Sequence, residues 1–150
     1  MSIYLLPGEV CVSKEPKLVT TILGSCISVT MFDIRLKTAA ICHARLPRGW
    51  RTGALDYVDN AVKYMVETLE ALGTNKDELE VNLFGGADVL SLVRMEGKSI
   101  GRQNVETAIE VIKEIGLCLS GRSVGGTAGR KVSFQTSTGK VSWTVIGAVQ

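Results

Sequence analysis

The sequence has no long apolar run and no cluster of one charge. No segment approaches the roughly 18 consecutive apolar residues that a membrane-spanning helix needs. The first apolar residues follow no basic segment and stop at Pro7, so a signal peptide is not expected. Seventeen basic and fifteen acidic side chains leave a net charge of +2, and no Lys/Arg run exceeds two residues. This composition does not favour nucleic-acid or membrane binding, and we expect a cytosolic protein.

Patterns that bind metals are also lacking. The chain has one histidine and four cysteines, at positions 11, 26, 42 and 118, without a C-x-x-C pair. This argues against a zinc site and against a disulfide framework. Cys11, Cys42 and Cys118 lie in apolar stretches, where a free cysteine usually behaves as a small buried hydrophobic residue. We therefore predict that these three are structural and that the protein holds no metal.

Glycine-rich segments do not complete a phosphate-binding motif. Gly85-Gly86, Gly101 and the segment 125–129 match neither G-x-x-x-x-G-K-[ST] nor G-x-G-x-x-G between a strand and a helix. The segment 125–129, followed by Arg130-Lys131, could touch an anion. A turn between strands is the more common reason for such glycines. We predict no nucleotide and no other cofactor.

Length and hydrophobic patterning indicate one layered domain over residues 1–150. Apolar residues make up 45% of the chain and charged residues 21%, which is ordinary globular composition. After a lead-in over 1–16, the patterns predict strands at Leu18–Leu23, Cys26–Phe32, Thr38–Leu46, Glu80–Phe84, Leu117–Ser120, Arg130–Thr136 and Lys140–Ile146. Six or seven strands with two helices, mostly with strands as sequence neighbours, predict an α/β or α+β layered sandwich with mixed or antiparallel sheets.

Two amphipathic helices are predicted. The first, Thr52–Leu72, has Thr52 as a candidate N-cap and Gly73 as its C-terminal stop. Its apolar stripe consists of Leu55, Val58, Val62, Met65, Leu69 and Leu72. The second helix, from about Arg102 to Ile115, follows Gly101 and ends at Gly116. A partner-binding helix could have the same stripe, but a core-facing helix is the more common explanation.

Cys26 and His43 are the clearest candidates for catalytic residues. Cys26 follows the Gly24-Ser25 turn, whose backbone amides could stabilise a thiolate or an oxyanion. His43, seventeen residues later, lies one strand and one turn further on, and an antiparallel meander can bring it beside Cys26. A thiol next to an imidazole is the minimum for nucleophilic catalysis. A buried core cysteine and a surface histidine are the alternative, and the residues alone leave both open.

Five segments resemble the CheD family, the chemoreceptor glutamine deamidases of bacterial chemotaxis. They are TTILGSCISVTMFD (20–33), AAICHARLP (39–47), FGGADV (84–89), IGRQNVETAIEVIKEIG (100–116) and GGTAGRKVSFQTSTGKV (125–141). The resemblance implies a layered α/β fold with a cysteine-hydrolase-like site. It puts the nucleophile on Cys26, the histidine on His43 and an orienting threonine on Thr20, with the adjacent Thr21 as the alternative that geometry must decide. The amides near Gly24 and Ser25 are the oxyanion candidates.

The resemblance also implies a reaction and two partners. A Cys26 thiolate would attack the side-chain amide of a receptor glutamine, form a thioester with loss of ammonia, and be released by water to leave glutamate. The implied partners are chemoreceptors (methyl-accepting chemotaxis proteins) and a CheC-type phosphatase. Two alternatives stay open: a binding module that engages and stimulates that phosphatase, and an unrelated thiol hydrolase or transferase.

Overall fold

The computed structural model describes residues 1–49, 51–89 and 97–146. Within these ranges the chain forms nine strands and two α helices, together with a short 3-10 turn at Lys76–Glu78. The elements are β1 (Ser2–Tyr4), β2 (Val10–Ser13), β3 (Leu18–Leu23), β4 (Ile27–Asp33), β5 (Thr38–Cys42), α1 (Val58–Ala71), β6 (Glu80–Gly85), α2 (Ile100–Ile115), β7 (Leu119–Val124), β8 (Gly129–Gln135) and β9 (Val141–Ile146).

The strands form two mixed sheets. The four-stranded sheet has the order β1-β3-β8-β9, and the five-stranded sheet has the order β2-β5-β4-β6-β7. The β1–β3 and β6–β7 pairs are parallel, and the remaining pairs are antiparallel. A layered α/β fold with mixed sheets and two helices is therefore confirmed.

The five-stranded sheet is the middle of three layers. Every residue of β4 and β5 is buried, because this sheet is covered on both faces. Ile27, Val29 and Met31 pack with Met65 of α1 and Ile112 of α2 in the larger core cluster. The alternate positions face the four-stranded sheet, where a second cluster is formed by Leu5, Val19, Phe32, Ala39, Ile41 and Phe134. The space between the two sheets therefore lies on the opposite side of β4 from the helices.

Helix α1 begins later than its apolar pattern predicts. It starts at Val58 with Tyr57 as N-cap, so Thr52 is not the cap. The Thr52 hydroxyl instead donates to the carbonyl of Gly49 and accepts from the N–H of Ala54, which closes a turn. Local side-chain bonding of this kind competes with helix formation. The stop at Gly73 is confirmed, since this residue has a φ of 103° and donates to the carbonyl of Glu70.

Other boundaries also differ from the sequence prediction. The lead-in over residues 1–16 contains β1 and β2, which have three and four residues and are too short for a periodic signal. Helix α2 starts at Ile100 with Ser99 as N-cap, so Gly101 lies inside the helix. The stop at Gly116 is confirmed.

The cysteines are all free, and their burial differs from the prediction at two positions. Cys42 is buried as predicted, whereas Cys11 is only partly buried. The prediction for Cys118 is wrong, because this side chain is exposed. Cys118 directly precedes β7, which is an edge strand of the five-stranded sheet and has one side open to solvent.

Candidate active site

Cys26 lies in the turn where the chain crosses from the four-stranded to the five-stranded sheet. β3 ends at Leu23 and β4 begins at Ile27. The carbonyls of Gly24, Ser25 and Cys26 each accept a hydrogen bond at 2.9 Å, from the Ala87 N–H, the Asn104 side-chain amide and the Gly86 N–H, in that order. The turn is therefore fixed against the segment that joins β6 to α2 and against α2 itself.

The N–H groups of the turn point away from the residues that bond its carbonyls. In a trans peptide the carbonyl and the N–H of the same unit have opposite directions. Because the Gly24 and Ser25 carbonyls are held by donors, the N–H groups of Ser25 and Cys26 are directed away from them. Within the described part of the chain, neither N–H donates a hydrogen bond to another residue, although the N–H of Cys26 lies close enough to its own thiol to lower the pKa of that group. Both N–H groups can therefore meet an oxygen of a bound molecule on the opposite side of the turn.

Two glycines at the end of β6 make the close packing of this turn possible. Gly85 and Gly86 have φ values of 101° and 70°, which side chains rarely adopt. A Cβ on Gly85 would lie 2.3 Å from the Cys26 carbonyl oxygen, and one on Gly86 would lie 2.8 Å from the carbonyl oxygen of Gly101. The glycine pair thus allows the cysteine turn and α2 to approach each other.

His43 follows the last residue of β5 and is held by backbone bonds from two sides. Its N–H donates to the carbonyl of Glu9 over 3.1 Å, and its own carbonyl accepts from the N–H of Gly8 over 2.8 Å. The next residue, Ala44, pairs with Ile27 through two reciprocal bonds of 2.8 and 2.9 Å. The side chain is only 3% exposed and lies on the face toward the four-stranded sheet.

The hydroxyl of Thr21 fixes the tautomer of His43. Thr21 Oγ1 lies 2.7 Å from Nδ1 of His43 and 2.8 Å from the carbonyl oxygen of Leu5. A carbonyl can only accept, so the single hydroxyl proton goes to Leu5 and Nδ1 must donate to the hydroxyl. Nε2 is then the unprotonated nitrogen, and within the described residues it is buried without a hydrogen-bond partner. The ring therefore presents a free base.

The hydroxyl that contacts the ring belongs to Thr21, which is the alternative to Thr20. Successive residues of a strand point to opposite faces. Thr21 points inward to His43, whereas the Thr20 hydroxyl lies 3.5 Å from the hydroxyl of Ser133 on β8. The contact with the ring therefore falls one residue later than the sequence assignment.

Cys26 and His43 share a face of adjoining segments. The pairing of Ile27 with Ala44 places Cys26 opposite Arg45 and His43 opposite Ser28. Cys26 and His43 are therefore diagonal neighbours, a relation in which Cβ atoms are somewhat less than about 7–8 Å apart. Among the hydrogen bonds of the described residues, none joins the Cys26 thiol to the ring. The structure thus places the thiol and the imidazole near each other without a hydrogen bond between them among the described residues.

Burial keeps both groups neutral. It raises the pKa of the Cys26 thiol, while the Arg45 guanidinium and the backbone N–H of Cys26 itself act in the opposite direction. Burial also lowers the pKa of His43, opposed by the Leu5 carbonyl and the Glu9 carboxylate. At neutral pH the resting site therefore contains a thiol and an uncharged imidazole.

Two residues of this region were missed by sequence reasoning. Asn104 on α2 is fully buried, and its Nδ2 donates to the carbonyls of Ser25 and Arg45 over 2.9 and 3.1 Å. A polar residue beside the apolar stripe of α2 was the available signal. Arg45 lies opposite Cys26 and forms a 2.7 Å ion pair with Asp56. Only the cross-strand register reveals its position.

Three further observations concern metal binding, membrane crossing and the glycine segment. Within them, no group of three or more His, Cys, Asp or Glu side chains is placed to hold a metal ion. No helix there is both long and apolar enough to cross a bilayer. The segment 125–128 connects β7 to β8, so the interpretation of these glycines as a turn is confirmed.

The layered fold and the thiol–imidazole–hydroxyl arrangement define an α/β protein with a candidate cysteine-hydrolase site. Residues 46–144 match the family model described as CheD chemotactic sensory transduction. The chain belongs to the CheD family.

Relatives cover more of the chain than the family model does. The "Probable chemoreceptor glutamine deamidase CheD 2" of Geobacter sulfurreducens is 45% identical over 139 residues, which are 93% of this chain and 86% of that protein. The "Chemoreceptor glutamine deamidase CheD" of Thermotoga maritima is 37% identical over 137 residues, covering 89% and 85%. A match over 93% of the chain necessarily includes positions 26 and 43, which precede the family-model span.

A solved structure shares the fold. The hypothetical protein YfiH of Bacillus licheniformis superposes with a TM-score of 0.52, covering 79% of this chain and 51% of that one. The sequence identity is 13%, so this likeness concerns the fold alone.

Proposed function

We propose that this protein is a cytoplasmic protein-glutamine deamidase that converts glutamine side chains of chemoreceptors to glutamate. The observation that carries the proposal is the Thr21–His43 contact, which leaves Nε2 unprotonated on the face shared with Cys26 and without a partner among the described residues. The names of the relatives, chemoreceptor glutamine deamidases, support the choice of substrate. That residues 1–150 act as one deamidase domain is part of the proposal.

The first step is attack by Cys26 on the amide carbon of the glutamine. Because the resting thiol is neutral, its proton passes to Nε2 of His43 as the sulfur–carbon bond forms. Catalytic hydrogen bonds are often long before substrate binds, and the hydrogen bond between the thiol and Nε2 forms when the substrate binds. Arg45, opposite Cys26, favours the negative charge on sulfur.

The tetrahedral oxygen formed in this step needs donors. The N–H groups of Ser25 and Cys26 supply them, since neither donates to another described residue and both point away from the carbonyl bonds of the turn. The His43 imidazolium then protonates the amide nitrogen, the carbon–nitrogen bond breaks, and ammonia leaves a thioester on Cys26. Water attacks the thioester while Nε2 takes its proton, and glutamate and the thiol are released.

Thr21 orients the ring throughout this cycle. When His43 is protonated, Nδ1–H keeps its bond to the Thr21 hydroxyl, which keeps its own bond to Leu5. A hydroxyl stabilises an imidazolium less than a carboxylate does, so we expect slow turnover.

A CheC-type phosphatase is proposed as the second partner, competing with the receptor for the face around Cys26. The family resemblance supports this partner. A binding role toward the phosphatase would be separable from catalysis, because binding does not require the thiol.

The test is to incubate the protein with receptor fragments and follow glutamine-to-glutamate conversion by mass spectrometry. Cys26→Ala and His43→Ala should abolish conversion, and Cys118→Ala, which removes an exposed thiol, should not. Conversion that survives in Cys26→Ala would refute the catalytic assignment. Phosphatase stimulation that persists in Cys26→Ala would show that the binding role is separate.

A further inference from the structure

Asn104 connects the two halves of the candidate site through a single amide. Its Nδ2 has two hydrogens, one for the Ser25 carbonyl at 2.9 Å and one for the Arg45 carbonyl at 3.1 Å. Ser25 directly precedes Cys26, and Arg45 follows His43 by two residues. The cysteine turn and the segment that carries the base are therefore both bonded to one side chain of α2.

The hydrogen bond from Asn104 to the Ser25 carbonyl determines the direction of the Cys26 N–H on the other side of the turn. The Ser25 carbonyl and the Cys26 N–H belong to one peptide plane and point in opposite directions. With the carbonyl held against α2, the N–H is directed away from α2, toward the side where the oxyanion is proposed to form. The bond of the Ala87 N–H to the Gly24 carbonyl directs the Ser25 N–H in the same way.

Packing alone does not explain an amide at this position. Asn104 is fully buried, and its Oδ1 has no hydrogen-bond partner among the described residues. An apolar side chain of similar size would avoid the unpaired Oδ1, but it would leave the Ser25 and Arg45 carbonyls without this donor. The opposite amide orientation would put Oδ1 against two carbonyl oxygens, so the bonds themselves fix the orientation.

We propose that Asn104 is a positioning residue of the deamidase site, which aims the Cys26 N–H at the substrate oxygen and holds the cysteine turn beside the His43 segment. This inference rests on the proposed function. Asn104 does not contact the reacting atoms and acts through the peptide that it holds.

The experiment compares Asn104→Ala with a matched control, Asn60→Ala. Asn60 also donates from Nδ2 to two carbonyls, those of Gly49 and Ala54 at 2.8 and 3.0 Å, but these belong to the loop before α1. For each protein, kcat and KM for glutamine conversion are measured by mass spectrometry. Alkylation of Cys26 by iodoacetamide is followed by peptide mapping, and folding is checked by circular dichroism.

Alkylation distinguishes a positioning role of Asn104 from a general disturbance of the site. Iodoacetamide reacts by displacement at a saturated carbon and forms no oxyanion, so its rate does not depend on where the Cys26 N–H points. For Asn104→Ala we expect kcat to fall about 10- to 100-fold. This decrease is no larger than the decrease in kcat that follows removal of an oxyanion donor itself. KM and the alkylation rate should stay within about twofold of the wild type. For Asn60→Ala we expect kcat to be unchanged.

Two results would overturn the inference. One is a kcat in Asn104→Ala no lower than in Asn60→Ala; the other is a proportional loss of alkylation and conversion in a natively folded variant.

If Asn104→Ala does not fold, Asn104→Asp replaces it, since its protonated carboxyl can donate one of the two bonds. Its kcat relative to the wild type should then rise as the pH falls, and a flat ratio would overturn the inference. A wild-type protein that converts no glutamine would instead refute the proposed function, and this inference with it.

Discussion

The two faces of the five-stranded sheet differ in the polar side-chain atoms that they bury. Toward the helices, Ile27, Val29 and Met31 of β4 enter a continuous apolar core. Toward the four-stranded sheet, the side chains of Ser28, Thr30 and His43 carry buried polar atoms that have no hydrogen-bond partner in the part of the chain that the structure describes. Each such group costs about 1–3 kcal/mol of stability. The face toward the helices is therefore apolar, whereas the face toward the four-stranded sheet combines an apolar cluster with polar groups that stability alone does not explain.

Each face also holds a cysteine, and the two thiols show what the difference means. Cys42 lies on the helix face, is fully buried and accepts a bond from the Val29 N–H at 3.4 Å. Burial raises the pKa of Cys42 to about 12. Cys26, on the other face, is partly exposed and lies opposite Arg45. Cys42 is therefore a core residue, whereas Cys26 is partly accessible and lies near a positive charge.

The largest expected difference is between the two cysteine-to-alanine variants. Cys26→Ala should abolish glutamine conversion and leave stability nearly unchanged. Cys42→Ala should keep conversion and lose about 1–2 kcal/mol of unfolding free energy, because it leaves a small cavity in the core. Mass-spectrometric conversion assays and urea unfolding measure the two effects. Loss of conversion in a folded Cys42→Ala protein would contradict the division between the faces.

A smaller effect is expected from the adjacent threonines of β3. Thr21→Val removes the acceptor for Nδ1 of His43 and should lower kcat about 10- to 100-fold, within the contribution of general acid–base catalysis. Thr20→Val, on the outer face, should change kcat by less than about twofold. Thr21→Ser keeps the hydroxyl and should recover most of the rate. Equal rates in the two valine variants would exclude an orienting hydroxyl.

Arg45 is expected to shift the pH dependence of Cys26 alkylation. The guanidinium lowers the pKa of the Cys26 thiol, so Arg45→Gln should raise it. The thiolate, which is the form that iodoacetamide alkylates, then forms at a higher pH, and the rising limb of the alkylation profile should move upward. Arg35→Gln is the control, since this exposed arginine pairs with Glu78, away from the thiol. The pH profile of Cys26 alkylation measures the shift, and an unmoved or downward limb would contradict the role of Arg45.

The smallest expected effect concerns stability below neutral pH. Burial lowers the pKa of His43 in the folded protein, so below about 6.5 the unfolded chain binds more protons. The His43 contribution to stability is present above that pH and falls as the pH drops toward the folded-state pKa, by at most about 1.4 kcal/mol per pH unit. His43→Gln should remove this slope, whereas Cys42→Ala should keep it. Urea unfolding between pH 5 and 7 measures the slopes, and parallel curves for wild type and His43→Gln would contradict the prediction.

The sequence predicted the strands on both sides of Cys26 well, because alternation and turn residues are local signals. β3 has the predicted bounds, and β4 begins one residue after Cys26. β5 ends at Cys42, so the predicted strand is cut short just before His43. The shared face of Cys26 and His43 followed from the antiparallel meander that the sequence indicated.

The contacts that organise the site could not be predicted in the same way. Thr20 and Thr21 are chemically identical neighbours, and only the packing of one sheet on the other decides which faces the ring. Asn104 is 79 residues from Ser25 in the chain, so no local pattern connects them. Arg45 faces Cys26 through the pairing of Ile27 with Ala44, which is a tertiary register.

The Thr21 hydroxyl donates its proton to the carbonyl oxygen of Leu5, which lies just after the short strand β1. Leu5 is 3% exposed, and its N–H is also bonded to the carbonyl of Thr20. Trimming the first five residues, or fusing a tag that displaces β1, would leave the hydroxyl proton free to turn toward Nδ1. The imidazole could then adopt its other tautomer, with the proton on Nε2, and would no longer accept the thiol proton. The start of the chain thus helps to set the protonation of a residue more than thirty positions away.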